Sequence, residues 1–398
     1  MVETLDQLPL LVTRWCVGLF PAGWQALVSA VIAAGAMVGA FAGLFALTTW
    51  LERKGLARIQ NRLGPNRVGP YGLLQPIADG LKMLTKEDIV PRAADPWVHF
   101  LAPIMKVVPV LLAYAVIPFG RNLVALNLEA GLLFFFAVGS ATEIAVFMAG
   151  WGSRNKYALL GAMRAIAQLI SYEVPLVFSS LGVVMLAGTL SLPGIVDSQA
   201  GYSWGWLARW HVFTPWGAAG FVLFMIAATA KTNRSPFDLP EGESEIIAGH
   251  MVEYSGFKYA LFYLGEYLSM FAISGVGLTL FLGGWREPVA ALAWVPSYCW
   301  FGVKLFGCIA VFIWLRGTMP RLRADQLMSF AWKFMLPLSL VTLVAAALWH
   351  ATSGWQFAGA GLVRWVLGGA AILLPYQWLS RGLMGARQWG PREYRFAD

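Results

Sequence analysis

The chain has 398 residues, of which 58% are hydrophobic and 13% charged, with a formal net charge of +8. So apolar a composition excludes a soluble globular domain of this size, which could not hide that much oily surface from water. A bilayer is the solvent the composition fits.

A helix crosses a bilayer with about 20 apolar residues, and that rule predicts nine spans, at about 24–50, 97–119, 128–150, 173–190, 213–230, 259–282, 293–315, 334–350 and 360–380. The expected fold is therefore an all-α polytopic membrane protein. No basic stretch followed by a cleavage site opens the chain, so no removable signal peptide is expected. The first span carries Gly35, Gly39 and Gly43 at four-residue spacing. That spacing makes a flat strip on one helix face, which another helix can approach closely.

The loop after the first span reads LERKGLARIQNRLGPNRVGPYGLLQPIADGLKMLTKEDIVP. Gly64-Pro65, Gly69-Pro70 and Gln75-Pro76 forbid a single helix through it. Beyond Pro70 an amphipathic helix is predicted. Leu73, Leu74, Ile77, Leu81 and Leu84 fall on one face, with Gln75, Asp79, Lys82 and Lys86 opposite. Such a segment can lie in the membrane interface.

Further on, RNKYALLGAMRAIAQLISYEVP precedes the fourth span. Arg164, Gln168, Ser171 and Tyr172 share one helix face there, and Glu173 follows at the mouth of the span. After the fifth span comes KTNRSPFDLPEGESEIIAGHMVEYSG, where Asp238, Glu241, Glu243, Glu245 and Glu253 lie within sixteen residues. Crowded carboxylates raise one another's proton affinity, and Pro236, Pro240 and Gly242 make the front half of this loop a turn. Such a run is either a solvated face or a set of proton-binding groups.

Loops on alternate sides separate sharply in charge. One set holds 22 Lys and Arg, the other 4. By the positive-inside rule the N-terminus is expected outside and the C-terminus inside. The long polar loops then share the inner face. Lys106, Glu143, Glu266 and Lys304 fall inside predicted spans, where a charge costs roughly 2.5–3.5 kcal/mol on insertion scales. Two of each sign can pair or line a wet path.

Some chemistry is not expected. Cys16, Cys299 and Cys308 lack metal-ligand spacing, and a cluster of iron and sulfur takes about four thiolates. No phosphate-cradling glycine loop follows a strand, and no zinc or nucleophile motif is present. His99, His211, His250 and His350 make no pair at helical spacing. The reading is of a protein without its own redox centre or metal, and without a nucleic-acid partner.

Four stretches closely resemble the family formed by the H subunit of NADH-quinone oxidoreductase, whose mitochondrial counterpart is NADH dehydrogenase subunit 1. They are ERKGLARIQNRLGPNRVGPYGLLQPIADGLKMLTKE, KYALLGAMRAIAQLISYE, PFDLPEGESEIIAGHMVEYSG and RLRADQLMSFAWKFMLPL. The resemblance runs from about residue 24 to 345, in the family's order, with every motif on the expected inner side. It implies the heel subunit of respiratory complex I in a bacterial inner membrane. Quinone would be the bound substrate, with the iron–sulfur clusters and FMN on partner subunits. Those partners would be peripheral-arm quinone-site and iron–sulfur subunits, and small and antiporter-like membrane subunits.

On that resemblance Glu52, Arg53, Arg62, Asp79 and Phe237 would face the quinone chamber. Arg164, Tyr172, Glu173, Asp238, Glu241, Glu243, Glu245, Glu253 and Tyr254 would form an acidic funnel leading from it. Glu143 and Glu266 would continue that proton path, and Lys304 is added to it as a further charge inside a predicted span.

The chain departs from the family pattern twice. Lys231 stands where an acid commonly precedes Thr-Asn-Arg. A ninth span and basic tail follow an eight-helix core, giving an expected division into residues 1–358 and 359–398. Two rival readings stay open. One is the equivalent subunit of a membrane-bound hydrogenase or of a ferredoxin- or deazaflavin-linked oxidoreductase. The other is an autonomous cation transporter, which would often show internal repeats.

Overall fold

A computed structural model describes residues 6–203, 206–239, 247–355 and 359–385. The chain is helical almost throughout, with one two-residue hairpin pairing β1 (Tyr202–Ser203) and β2 (Leu207–Ala208). A short helix, α1 (Leu8–Gly18), precedes α2 (Gln25–Ile59), and the amphipathic α3 (Gln75–Thr85) lies after a single 3-10 turn at Pro70–Gly72. Next come α4 (Pro96–Ala113), α5 (Gly131–Gly152), α6 (Lys156–Ala187), α7 (Leu192–Ser198) and α8 (Pro215–Lys231). The chain continues through α9 (Gly256–Phe281), α10 (Ser297–Thr318) and α11 (Ala324–Phe330). A π turn at Ala331–Met335 then leads without a break into α12 (Leu336–Ala351), and α13 (Ala360–Gly385) follows.

Among the described residues, eight helical segments are long and apolar enough to cross a bilayer, the run Ala324–Gly354 counting as one. The fifth expected span, α8, has 17 residues and is a shorter apolar helix. At about 1.5 Å per residue it measures about 26 Å, just under a hydrocarbon core of about 30 Å.

Three boundaries differ from expectation. The helix of the first span, α2, runs to Ile59 rather than stopping near residue 50, the helix of the span expected from 173 starts at Lys156, and the helical run of the span expected from 334 starts at Ala324. None of these polar stretches contains a proline. Asn155 caps α6 by accepting from the Tyr157 amide at 2.9 Å, and Pro175 is accommodated inside it. Hydropathy marks where a helix leaves lipid, not where it ends. Glu52 and Arg53 consequently sit on rigid helix rather than loop, and the helix face expected to carry Arg164 and Gln168 is continuous with the span that follows it.

The core is built around α9, whose apolar window is 89% buried, against 6% for α2 and for α13. Around it pack α4, α8, α10 and, at one end, α2 and α3, while α6 bridges α5, α8 and α12. Phe224, Phe271, Phe281 and Phe312 fill the interior. Close packing is the main attraction between helices in lipid. Gly265 permits one such approach: a Cβ there would lie 2.7 Å from the Lys106 Cγ. The Gly35, Gly39 and Gly43 strip faces open space, with no other atom within 4 Å of an added Cβ.

Candidate functional site

A buried row of charges runs through the end of the bundle that carries the basic loops. It begins at Glu52, which is 3% exposed. Arg234 donates to its Oε1 at 2.6 Å, Arg316 contacts the same oxygen, and the Tyr267 hydroxyl donates to Oε2 at 2.5 Å. The Arg234 guanidinium also lies 4.2 Å from the centre of the Tyr267 ring. Four elements meet in this clamp: α2, the turn after α8, α9 and α10. The turn is made possible by Asn233, whose φ of 50° is left-handed, a conformation Asn tolerates better than most residues.

Asn233 also carries the row onward. Its amide donates to Glu266 Oε1 at 3.2 Å. Gln168, fully buried on α6, fixes the same turn by donating to the carbonyls of Ala230 and Phe237, each at 2.7 Å. Beyond Glu266 is a small cavity of about 30 Å³ lined by Lys106, Thr142, Lys231, Glu266 and Ser269. That is room for a water molecule among polar partners.

Lys231 closes the row. Its Nζ donates to Glu173 at 2.7 Å and lies 3.5 Å from Glu143, while Ser140 donates to Glu173 at 2.7 Å. Lys231, Lys106, Arg234 and Arg316 thus face Glu52, Glu143, Glu173 and Glu266. Four cations balance four carboxylates, which is how charge is tolerated where water is scarce. The arrangement can hold protons on alternative oxygens, and a single added charge has nearby groups to redistribute it.

The other predicted residues fall into separate groups. Arg53 and Asp79 pair at 2.5 Å on the exposed flank of α2 and α3, with Gln75 donating to Asp79 at 3.0 Å. Arg62 donates to Gln60 at 2.8 Å and is exposed. Beside them the apolar face of α3 is uncovered, Ile77, Leu81 and Leu84 each being more than half exposed. Phe237 is buried between Tyr172 and Phe330, rather than with Asp79. Tyr172 donates to the Leu327 carbonyl at 3.0 Å. Asp238 pairs with Arg321 at 3.0 Å. Arg164 is half-buried on α6.

Glu253 and Tyr254 belong to a different corner, between α4 and the start of α6. Asn155 donates to Glu253 at 2.6 Å, and Tyr254 stacks on His99 with ring centres 4.0 Å apart. Burial pushes the Tyr254 phenol above its ordinary pKa, and burial with the nearby Lys106 charge pushes His250 down to about 3. Lys304 lies at the opposite end of the bundle. It donates to the carbonyls of Leu282, Gly284 and Arg286 at 2.6–2.8 Å, and its Nζ lies 4.0 Å from the Trp210 ring centre. There it ties down the carbonyls that follow α9. Glu241, Glu243 and Glu245 lie outside the described residues. Among the described residues no group of three His, Cys, Asp or Glu is placed to hold a metal ion.

Sequence reasoning missed Arg234, Arg316, Tyr267 and Asn233. The signal is weak: an Arg at a helix end ordinarily reads as an interfacial anchor. Only the neighbourhood of Glu52 gives these residues a shared partner.

Comparison with known proteins gives a consistent result. Residues 32–347 match the family model described as NADH dehydrogenase. A protein of Polaromonas naphthalenivorans, named as the H subunit of NADH-quinone oxidoreductase, is 45% identical over 84% of this chain and 94% of its own length. Proteins of the same name from Dehalococcoides mccartyi and Geobacillus kaustophilus are 52% and 50% identical. They align over 75% and 77% of this chain, and over 80% and 88% of their own lengths.

Proposed function

The chain belongs to the NADH dehydrogenase family, and on that premise we propose that it is the heel subunit of a proton-translocating NADH:quinone oxidoreductase in a bacterial inner membrane. Its basic end faces the cytoplasm, following the charge asymmetry of the loops. It carries no redox centre of its own. Electrons reach the quinone from an iron–sulfur cluster on a peripheral-arm partner, and FMN sits further back on another. Antiporter-like membrane subunits adjoin the far end of the charge row.

The observation that carries this reading is the balanced row from Glu52 to Glu173. Reducing a quinone to a quinol takes two electrons and two protons. The headgroup is briefly more negative before the protons arrive. Negative charge appearing beside the Arg53–Asp79 flank weakens the hold of Glu52 on Arg234. That shift passes by Asn233 and Glu266 to Lys106 and Lys231, and from there to Glu143 and Glu173. Glu52, Asn233, Lys231 and Glu173 each have more than one partner in reach, so a change of charge becomes a change of pairing. The uncovered apolar face of α3, with Arg53, Asp79 and Arg62 beside it, is the wall offered to the oily acceptor. Partner subunits complete the enclosure.

Replacing Asp79 or Arg62 with Ala in the intact complex is expected to slow quinone reduction several-fold, while NADH oxidation by a water-soluble artificial acceptor is kept. A quinone rate equal to wild type in both variants overturns the chamber assignment.

A further inference from the structure

A large concavity lies away from the charge row. It runs between α8, α10, the stretch Arg323–Lys333 (α11 and the start of the π turn) and α13, with a volume of about 1840 Å³. That exceeds the roughly 300–1,000 Å³ of pockets for drug-sized ligands. We propose that it binds an anionic phospholipid from the leaflet at the basic end.

The walls are oily: Met225 and Ile226 come from α8, Val311 and Leu315 from α10, and Leu379 from α13. Along α10 the lining reaches from Lys304 to Leu315 and on to Met319. Those fifteen steps span about 22 Å at about 1.5 Å each, deeper than half of a hydrocarbon core of about 30 Å. Acyl chains of one leaflet therefore fit along it. The far cation, Lys304, is held by three backbone carbonyls and does not compete for the headgroup.

Apart from the carbonyl-bound Lys304, the charges of the groove gather at its basic end. Arg323, Lys333 and Arg381 line it there, with Asp325 as the one acid among the described lining residues. Arg323 and Asp325 are 3.5 Å apart and both more than two-thirds exposed, a pair of little strength. Among the described residues, Lys333 and Arg381 have no hydrogen-bond or ion-pair partner. Lys333 sits inside the π turn Ala331–Met335, whose extra residue rotates the following helix relative to α11. Basic pockets between spans on the cytoplasmic side suit phospholipid headgroups. A quinone has no anionic group to answer three cations, and a purely apolar partner helix would leave them without counter-charge.

The test uses the whole complex, purified in mild detergent. With p-benzoylphenylalanine at Val311, ultraviolet crosslinking followed by mass spectrometry is expected to show a phospholipid adduct. The complex carrying Lys333→Gln with Arg381→Gln is expected to lose at least two-thirds of that adduct and to retain less anionic phospholipid. The charge-keeping Lys333→Arg with Arg381→Lys should match wild type. Vesicles lacking anionic phospholipid should give no adduct. A crosslink to a peptide of another subunit or to quinone, or an adduct indifferent to both charge variants, overturns the proposal. None of these readouts depends on the enzymatic reading.

Discussion

Replacing Glu52 with Gln keeps the size of the side chain and removes its charge from a site that is 3% exposed. Arg234 then loses a partner at 2.6 Å while remaining 7% exposed itself. At an effective dielectric of about 20, a charge pair at that distance attracts by about 6 kcal/mol before relaxation. Breaking a buried pair from one side costs about 3–5 kcal/mol net. Arg316 contributes less to this loss, because its side chain is 36% exposed and can turn toward water.

The consequence reaches beyond the clamp. Of the 35 residues of α2, only Phe41, Thr48, Glu52 and Ala57 are buried, so Glu52 is a principal tie between that helix and the bundle. In the purified complex, Glu52→Gln should lower the unfolding midpoint strongly and increase proteolysis near α2. Arg316→Gln should cost no more than about 1 kcal/mol, since Arg234 and Tyr267 still satisfy the carboxylate. Equal shifts from the two variants, or no shift from Glu52→Gln, would refute the claim that burial decides the cost.

Two further outcomes follow from the same geometry. Lys231→Met should destabilise the complex by about 3–5 kcal/mol, leaving Glu143 and Glu173 without their shared cation. Adding Glu173→Gln should recover more than about 1 kcal/mol of that loss, and strict additivity in the double-mutant cycle would disprove the shared node. His250 is 1% exposed with its pKa pushed down to about 3 by burial. The unfolded chain then binds a proton more readily than the folded one, so stability is lost as pH falls below about 6.5, by up to about 1.4 kcal/mol per unit. His250→Gln should flatten the acid side of a stability profile between about pH 6 and 4, and an unchanged slope there would show that other groups set it.

Local order along the chain is enough to read several elements correctly. The amphipathic α3 follows from Leu73 to Leu84 and the prolines before it. Glu143, Glu173 and Glu266 stand out because a charge within an apolar run is costly wherever the chain folds. The same logic fails at Lys304. Its apolar neighbours in sequence group it with the proton path, yet the chain returns Leu282, Gly284 and Arg286 to its ammonium. Glu253 groups by position with the acids before it, but Asn155 holds it at another corner.

The sequence by itself determined the membrane habit, the asymmetry of charge between the two ends and the family. Hydropathy and net charge are sums over neighbouring residues, so they survive without knowledge of the fold. Tertiary structure alone decided the pairing. Glu52 meets Arg234, Arg316 and Tyr267 across 182, 264 and 215 positions, and Lys231 reaches Glu173 across 58. Which helix faces meet depends on the packing of the whole bundle around α9, and no stretch of the chain carries that information on its own.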